Sequence, residues 1–227
     1  RDSSVTGVQT CALPIFQSDG SIAVTGVGTI GNEFDVPSWV GDRPVRAIAA
    51  GAFQGRTTLM RIGVPDGVTS VGASAFQGCS LLSEVVLPSS VSNIGDYAWA
   101  YCSSLTDFAI PDQVVCLGAS AFEDCGSLAD VTIGCRVKAV GGGAFLRCGQ
   151  LGQVILPDSV EAVGNSAFGS CVSLTNVEFG AGLKTLGAGA FNNCTRLPRM
   201  PLPEGLGEIL TGTFGNCRSL TEFVVPD

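Results

Sequence analysis

One period governs this chain. Val45, Val68, Val91, Val114, Val137, Val160, Leu183 and Leu206 follow one another at a single constant interval. Three positions after each comes Ile48, Val71, Ile94, Leu117, Val140, Val163, Leu186 or Ile209. Eight positions after each lies an aromatic ring: Phe53, Phe76, Trp99, Phe122, Phe145, Phe168, Phe191 or Phe214. Fourteen positions after each is a leucine, from Leu59 through Leu220. No insertion breaks the eight units, which run 45–67, 68–90, 91–113, 114–136, 137–159, 160–182, 183–205 and 206–227. A single 23-residue unit cannot bury so many apolar side chains, but stacked units of equal length cover one another.

The period also assigns local structure. In Ser83-Glu84-Val85-Val86-Leu87-Pro88, Val85 and Leu87 fall on one face and Glu84 and Val86 on the other, which predicts a short strand with one buried face. Equivalent strands should pair in parallel and in register, ~4.8 Å apart, and eight coils then extend roughly 40 Å. In Gly72-Ala73-Ser74-Ala75-Phe76 the pattern becomes a tight turn or a single helical or 3-10 turn. There Gly permits the bend, Ala a close approach, and Phe fills the interior. The fold class expected is therefore a leucine-rich repeat solenoid of the α/β horseshoe class, mostly β.

The pattern Val-x-x-Ile-Gly-x-x-Ala-Phe-x-x-Cys-x-x-Leu-x-x-Val-x-Leu-Pro resembles the BspA-type, or treponemal, leucine-rich repeat. The clearest copy is Val91 to Pro111, with Trp99 for Phe. Residues 45–227 carry it, and 16–44 resemble a lead-in of capping strands. The first unit departs at Arg56, where the others have Cys, and the last has Leu210 after Ile209, where units 2 to 7 have Gly. The resemblance implies a curved solenoid, bacterial or protist, at the cell surface or secreted, that binds a protein or host-matrix ligand.

Composition narrows the function classes. The formal charge of −8 argues against nucleic acid and anionic membranes. The chain has no histidine, so a Ser-His-Asp triad and the commonest metal ligand are excluded. No apolar run reaches the ~20 residues of a membrane helix, and no signal peptide is visible. No enzyme activity, no cofactor and no membrane insertion are expected. Gly26-Val27-Gly28-Thr29-Ile30-Gly31 matches the dinucleotide glycine pattern by letter, but a strand-like segment follows where a helix is required. Asn193-Cys194-Thr195 is a glycosylation triplet that overlaps a buried row.

That row is Cys79, Cys102, Cys125, Cys148, Cys171, Cys194 and Cys217. Parallel side chains ~4.8 Å apart suit neither a tetrahedral zinc site nor an unstrained disulfide. Small buried thiols with weak contacts to backbone are expected instead. Cys116 and Cys135 lie outside the row, and no bond between them is expected.

Binding is expected where the repeat leaves side chains free. The residue before each buried strand pair points outward: Arg61, Glu84, Asp107, Asp130, Gln153, Asn176, Arg199 and Glu222. Beside this stripe run Val86 and Ile155, and Glu84-Asp107-Asp130 makes an acidic patch. Trp39, Tyr97 and Tyr101 are alternative anchors, since aromatics often dominate interfaces. A passive spacer or an intracellular scaffold would show the same repeat. Val5 to Ile15 reads VTGVQTCALPI, the translation of a common sequencing adapter, so residues 1–15 are expected to be foreign. The last unit has no recognisable polar cap, and a truncated C-terminus is expected.

Overall fold

A computed structural model of the chain describes residues 14–25 and 31–224. The adapter-like segment up to residue 13 and Gly26–Ile30 of the glycine motif lie outside the described residues. The strand Glu33–Asp35 follows that motif where dinucleotide binding requires a helix.

The chain is a parallel β-solenoid. One ladder runs its whole length, from Ile22–Val24 and Arg43–Ile48 through two-residue strands such as Asn93–Ile94 and Ala139–Val140 to Glu208–Ile209. Its register advances by one repeat period per coil, as in Val71↔Ile94 and Val140↔Val163. Every residue predicted to point inward in coils 1–7 is largely buried, except that Val85, Leu87, Val131 and Phe179 are half-buried against the core. The aromatic rings form a continuous column, stacked at 5.0 to 6.0 Å. Each fully buried ring contributes about 1.5–3 kcal/mol by leaving water.

The lead-in adds a ninth turn. Ile22–Val24 pairs in parallel with Arg43–Ile48, and Glu33–Asp35 with Arg61–Gly63. Phe34 faces Ile62, a longer step than the repeat period, because the Trp39–Val40 hairpin against Arg43–Pro44 occupies the extra length. Phe34 closes the ring column against Phe53 at 5.8 Å.

Of the two expected forms the tight turn is present and the helical or 3-10 turn is absent among the described residues, and the hydrogen bonds show why. Ala75, Gln77 and Cys79 donate to carbonyls three residues back, whereas the alternating Ser74, Phe76 and Gly78 donate to Asp96, Ala98 and Ala100 of the next coil. A helix would need all of these donors within one coil. The same three inter-coil bonds recur from Gly51-Phe53-Gly55 to Gly189-Phe191-Asn193. The turn edge is thus a second axial ladder.

From coil 2 to coil 7 glycine is required where coils touch through backbone, whereas Ala49 of coil 1 keeps the same bond, to Val24 O at 2.7 Å, against the lead-in turn. A Cβ on Gly95, Gly118 or Gly164 would fall within about 2.5 Å of main-chain atoms of the preceding coil. Gly72 through Gly187 each donate to the preceding coil, but Leu210, at the same place in coil 8, makes no such bond. Its side chain holds the last coil off. Gly189 N–H reaches Thr211 O at 3.2 Å, and Phe191–Phe214 has the longest spacing of the stacked rings, 6.0 Å. Leu210→Gly should close this gap. We expect amide exchange at Gly189 and Thr213 to slow about fivefold, equivalent to about 1 kcal/mol. Unchanged or faster exchange would contradict the steric account.

Candidate functional site: the strand face

The outward stripe lies on a third set of strands. Each predicted residue is aligned by the parallel register: Arg61↔Glu84, Asp107↔Asp130, Gln153↔Asn176 and Arg199↔Glu222. Arg61 and Asn176 are half-buried and the other six are exposed. In the adjacent row Val86 and Ile155 are 46% and 52% exposed, large values for side chains aligned with Gly63 and Glu178.

Unlike the long ladder, this face is interrupted. Its strands associate as Glu33–Asp35 with Arg61–Gly63 and Glu84–Val86, then as three separate pairs. One break has a covalent cause. Ser83, Ala129 and Thr175 donate to the preceding coil at the strand entrance, but Pro198 has no N–H to give. A second break, between Asp130–Thr132 and Gln153–Leu156, coincides with a cleft of about 290 Å³. Asp130, Thr132, Gln153 and Ile155 line it, so three of the predicted binding residues converge there.

The charges along the face are not equivalent. Arg61 pairs with Asp35 at 2.8 Å and with Glu84 at 3.1 Å, which leaves Glu84 partly neutralised. Hydrogen bonds and charge from these carboxylates, Asp35 foremost, hold the guanidinium pKa above its usual value. Asp107 and Asp130 sit side by side in register, and neither has a cationic partner among the described residues. Like charges facing across strands are destabilising, and here the Thr106 hydroxyl, which donates to Asp107 Oδ2 at 2.9 Å, stands in for the missing cation only in part.

The cysteine row makes backbone contacts. Each thiol donates to the carbonyl of the ring residue in the preceding coil, from Cys79 to Phe53 at 3.1 Å through Cys217 to Phe191 at 3.1 Å. Burial pushes Cys125 and Cys171 up to about 12, which suppresses the thiolate and its nucleophilicity. Cys116 and Cys135 are exposed free thiols. Among the described residues no three His, Cys, Asp or Glu side chains are grouped to hold a metal ion, and no helix is long and apolar enough to cross a membrane.

Two further positions per coil are special in a way the period did not reveal. At 51, 74, 97 and onward, and again at 55, 78, 101 and onward, the backbone is left-handed, with φ between 53° and 75°. Gly, Ser, Asn and Asp fill most of these places, but Tyr97, Tyr101 and Arg147 also occupy them. The left-handed region costs a bulky L-residue about 1 kcal/mol. Arg147 is held there by Asp124 and Glu123, at 2.6 and 2.5 Å. Asn193 of the glycosylation triplet is left-handed too, and its amide donates to Ser170 Oγ at 3.3 Å.

The repeat geometry has a counterpart among known proteins. The profile described as BspA type leucine rich repeat region matches residues 39–152 and 117–227, with six copies. The chain belongs to the BspA-type leucine-rich repeat family. Among solved structures of this architecture, the leucine rich repeat protein of T. pallidum is 33% identical. That match covers 82% of this chain and 87% of the treponemal one, with a TM-score of 0.78. A leucine-rich repeat protein from Bacteroides ovatus is 24% identical over 93% of this chain and 68% of its own, with a TM-score of 0.64. The pneumococcal vaccine antigen PcpA is 21% identical over 96% and 71%, with a TM-score of 0.68. The last two likenesses establish fold alone. No curated protein sequence matches the chain at a significant level.

Proposed function

We propose that this BspA-type solenoid is a non-catalytic binding module that engages a protein or host-matrix ligand through its strand face. The observation carrying this reading is the unpaired Asp107–Asp130 couple beside the cleft that exposes Ile155. Packing dictates the inward rows, whereas the outward rows change chemistry from coil to coil, which is how a solenoid acquires selectivity. Two uncompensated carboxylates next to apolar surface suit a basic segment carrying an aliphatic or aromatic anchor. The absence of histidine from the sequence removes the most frequent general base, in keeping with binding rather than turnover. Display at the cell surface or secretion fits the family membership, and the similar fold is that of a pneumococcal vaccine antigen.

The test reverses Glu84, Asp107 and Asp130 to lysine and compares wild type and variant on immobilised matrix glycoproteins. Affinity should fall at least about tenfold, and the wild-type dependence on ionic strength should flatten or invert. Glu84→Lys alone should do least, because Glu84 already faces Arg61 at 3.1 Å. An affinity unmoved by the triple reversal would remove the proposal.

A further inference from the structure

Coil 3 contains the sequence Tyr97-Ala98-Trp99-Ala100-Tyr101. The chain has only two tyrosines, and both occupy the left-handed places of this one coil, with φ of 56° and 64°. They flank Trp99, which is fully buried in the ring column. Strain retained at two adjacent sites, where serine and glycine serve in neighbouring coils, points to a role for the side chains themselves. Tyr97 and Tyr101 are 41% and 45% exposed, and among the described residues neither hydroxyl is hydrogen-bonded. The places before them in the two rows are Gly51, Ser74, Gly55 and Gly78, so a low shelf adjoins the tyrosines on one side. Gln54 and Gln77 stand on that shelf, joined amide to amide at 2.6 Å. The two rows carry no charge in coils 1 to 3, and Asp124, next after Tyr101, is already bound by Arg147 at 2.6 Å.

We propose that Tyr97 and Tyr101 form a stacking platform for a neutral polysaccharide, with the Gln54–Gln77 amides beside it as hydrogen-bonding groups. Exposed tyrosine offers an apolar ring face and a polar tip at low cost in side-chain freedom. The hydrophobic face of a pyranose ring lies on the former, and its hydroxyls meet the latter and the amides. Net charge is not needed by such a ligand: the two tyrosines and two glutamines carry none, and the carboxylate of Asp96 beside Tyr97 is engaged by the Ala119 N–H at 2.7 Å. A basic peptide, by contrast, would be drawn to the strand face and its open carboxylates. This platform is separate from that face and does not depend on it.

Calorimetric titration of the whole chain with cellohexaose, chitohexaose and laminarihexaose tests the assignment. At least one should bind with a Kd of about 1 mM or tighter. Tyr97→Ser with Tyr101→Gly, each the residue of a neighbouring coil, should weaken it at least about tenfold without lowering the melting temperature. Tyr101→Phe keeps both ring and backbone and should stay within about threefold of wild type. The proposal is overturned if none of the three sugars binds, if the double variant binds as wild type does, or if Tyr101→Phe loses binding as fully as the double variant. It is overturned equally if the double variant loses only capture of matrix protein, since the platform would then serve a protein. The strand-face charge reversal should leave sugar binding intact, so failure of one reading is distinct from failure of the other.

Discussion

Phe145→Ala is expected to lower the unfolding free energy by about 3–5 kcal/mol, with the damage spreading to both neighbouring coils. Phe145 is fully buried and stacked on Phe122 and Phe168, each 5.3 Å away. Removing the ring leaves a cavity that the coil cannot collapse to fill. Phe122 N and Phe145 N are tied by inter-coil bonds to Ala144 O and Ala167 O, both 2.7 Å. Neighbouring coils are the only support a solenoid unit has, so the loss is transmitted along the axis. Chemical denaturation measures the loss, and amide exchange in coils 4 to 6 locates it. Phe214→Ala should cost markedly less, because that ring is half-buried and sits 6.0 Å from Phe191. Equal losses at Phe145 and Phe214 would show that the ring column does not carry stability.

Gly118→Ala should be as damaging although it adds one methyl group. Its Cβ would overlap the Gly95 carbonyl carbon and lie 2.5 Å from the Gly95 oxygen. No side chain can turn aside there. Coils 3 and 4 must separate, stretching the Gly118–Ile94 bond of 3.2 Å and the Trp99–Phe122 stack at 5.4 Å. A loss of about 3 kcal/mol or more is expected, at the upper end of overpacking effects. Gly126→Ala is the control, since its Cβ would meet nothing within 4 Å. It should change stability by less than about 0.5 kcal/mol. Similar midpoints for the two variants would disprove the contact.

The inward rows were legible because packing dictates them. A residue such as Leu128 or Phe122 touches its own equivalent before and after, so chemistry repeats wherever contact repeats. The lead-in was recognisable as capping strands but not as a full turn, because the Trp39–Val40 hairpin stretches its spacing beyond the period of the other coils. The left-handed turn places were hidden for the opposite reason. There the ladder dictates the backbone and leaves the side chain open, so Gly55, Asp124, Arg147 and Asn193 share a conformation without sharing a composition. Glycine at 51, 55, 78, 143, 189 and 212 was the available hint. The register of the outward stripe is legible in the sequence, and so is part of its electrostatics. Arg61 stands one period before Glu84, so the ion pair between them was available from spacing alone. The interruptions of the strand face were accessible only at Pro198. The others depend on how whole coils lean, which no local pattern encodes.

The bonds joining successive coils, such as Phe122 N–H to Ala144 O and Gly118 N–H to Ile94 O, run from one coil to the next along the stack. A pull on the two ends therefore meets them in series, one layer after another, instead of shearing many together. Under tension the molecule should behave as a ratcheted tether, peeling from an end. Each layer that lets go would release one repeat, roughly 80 Å of extended chain, while the remaining layers stay folded.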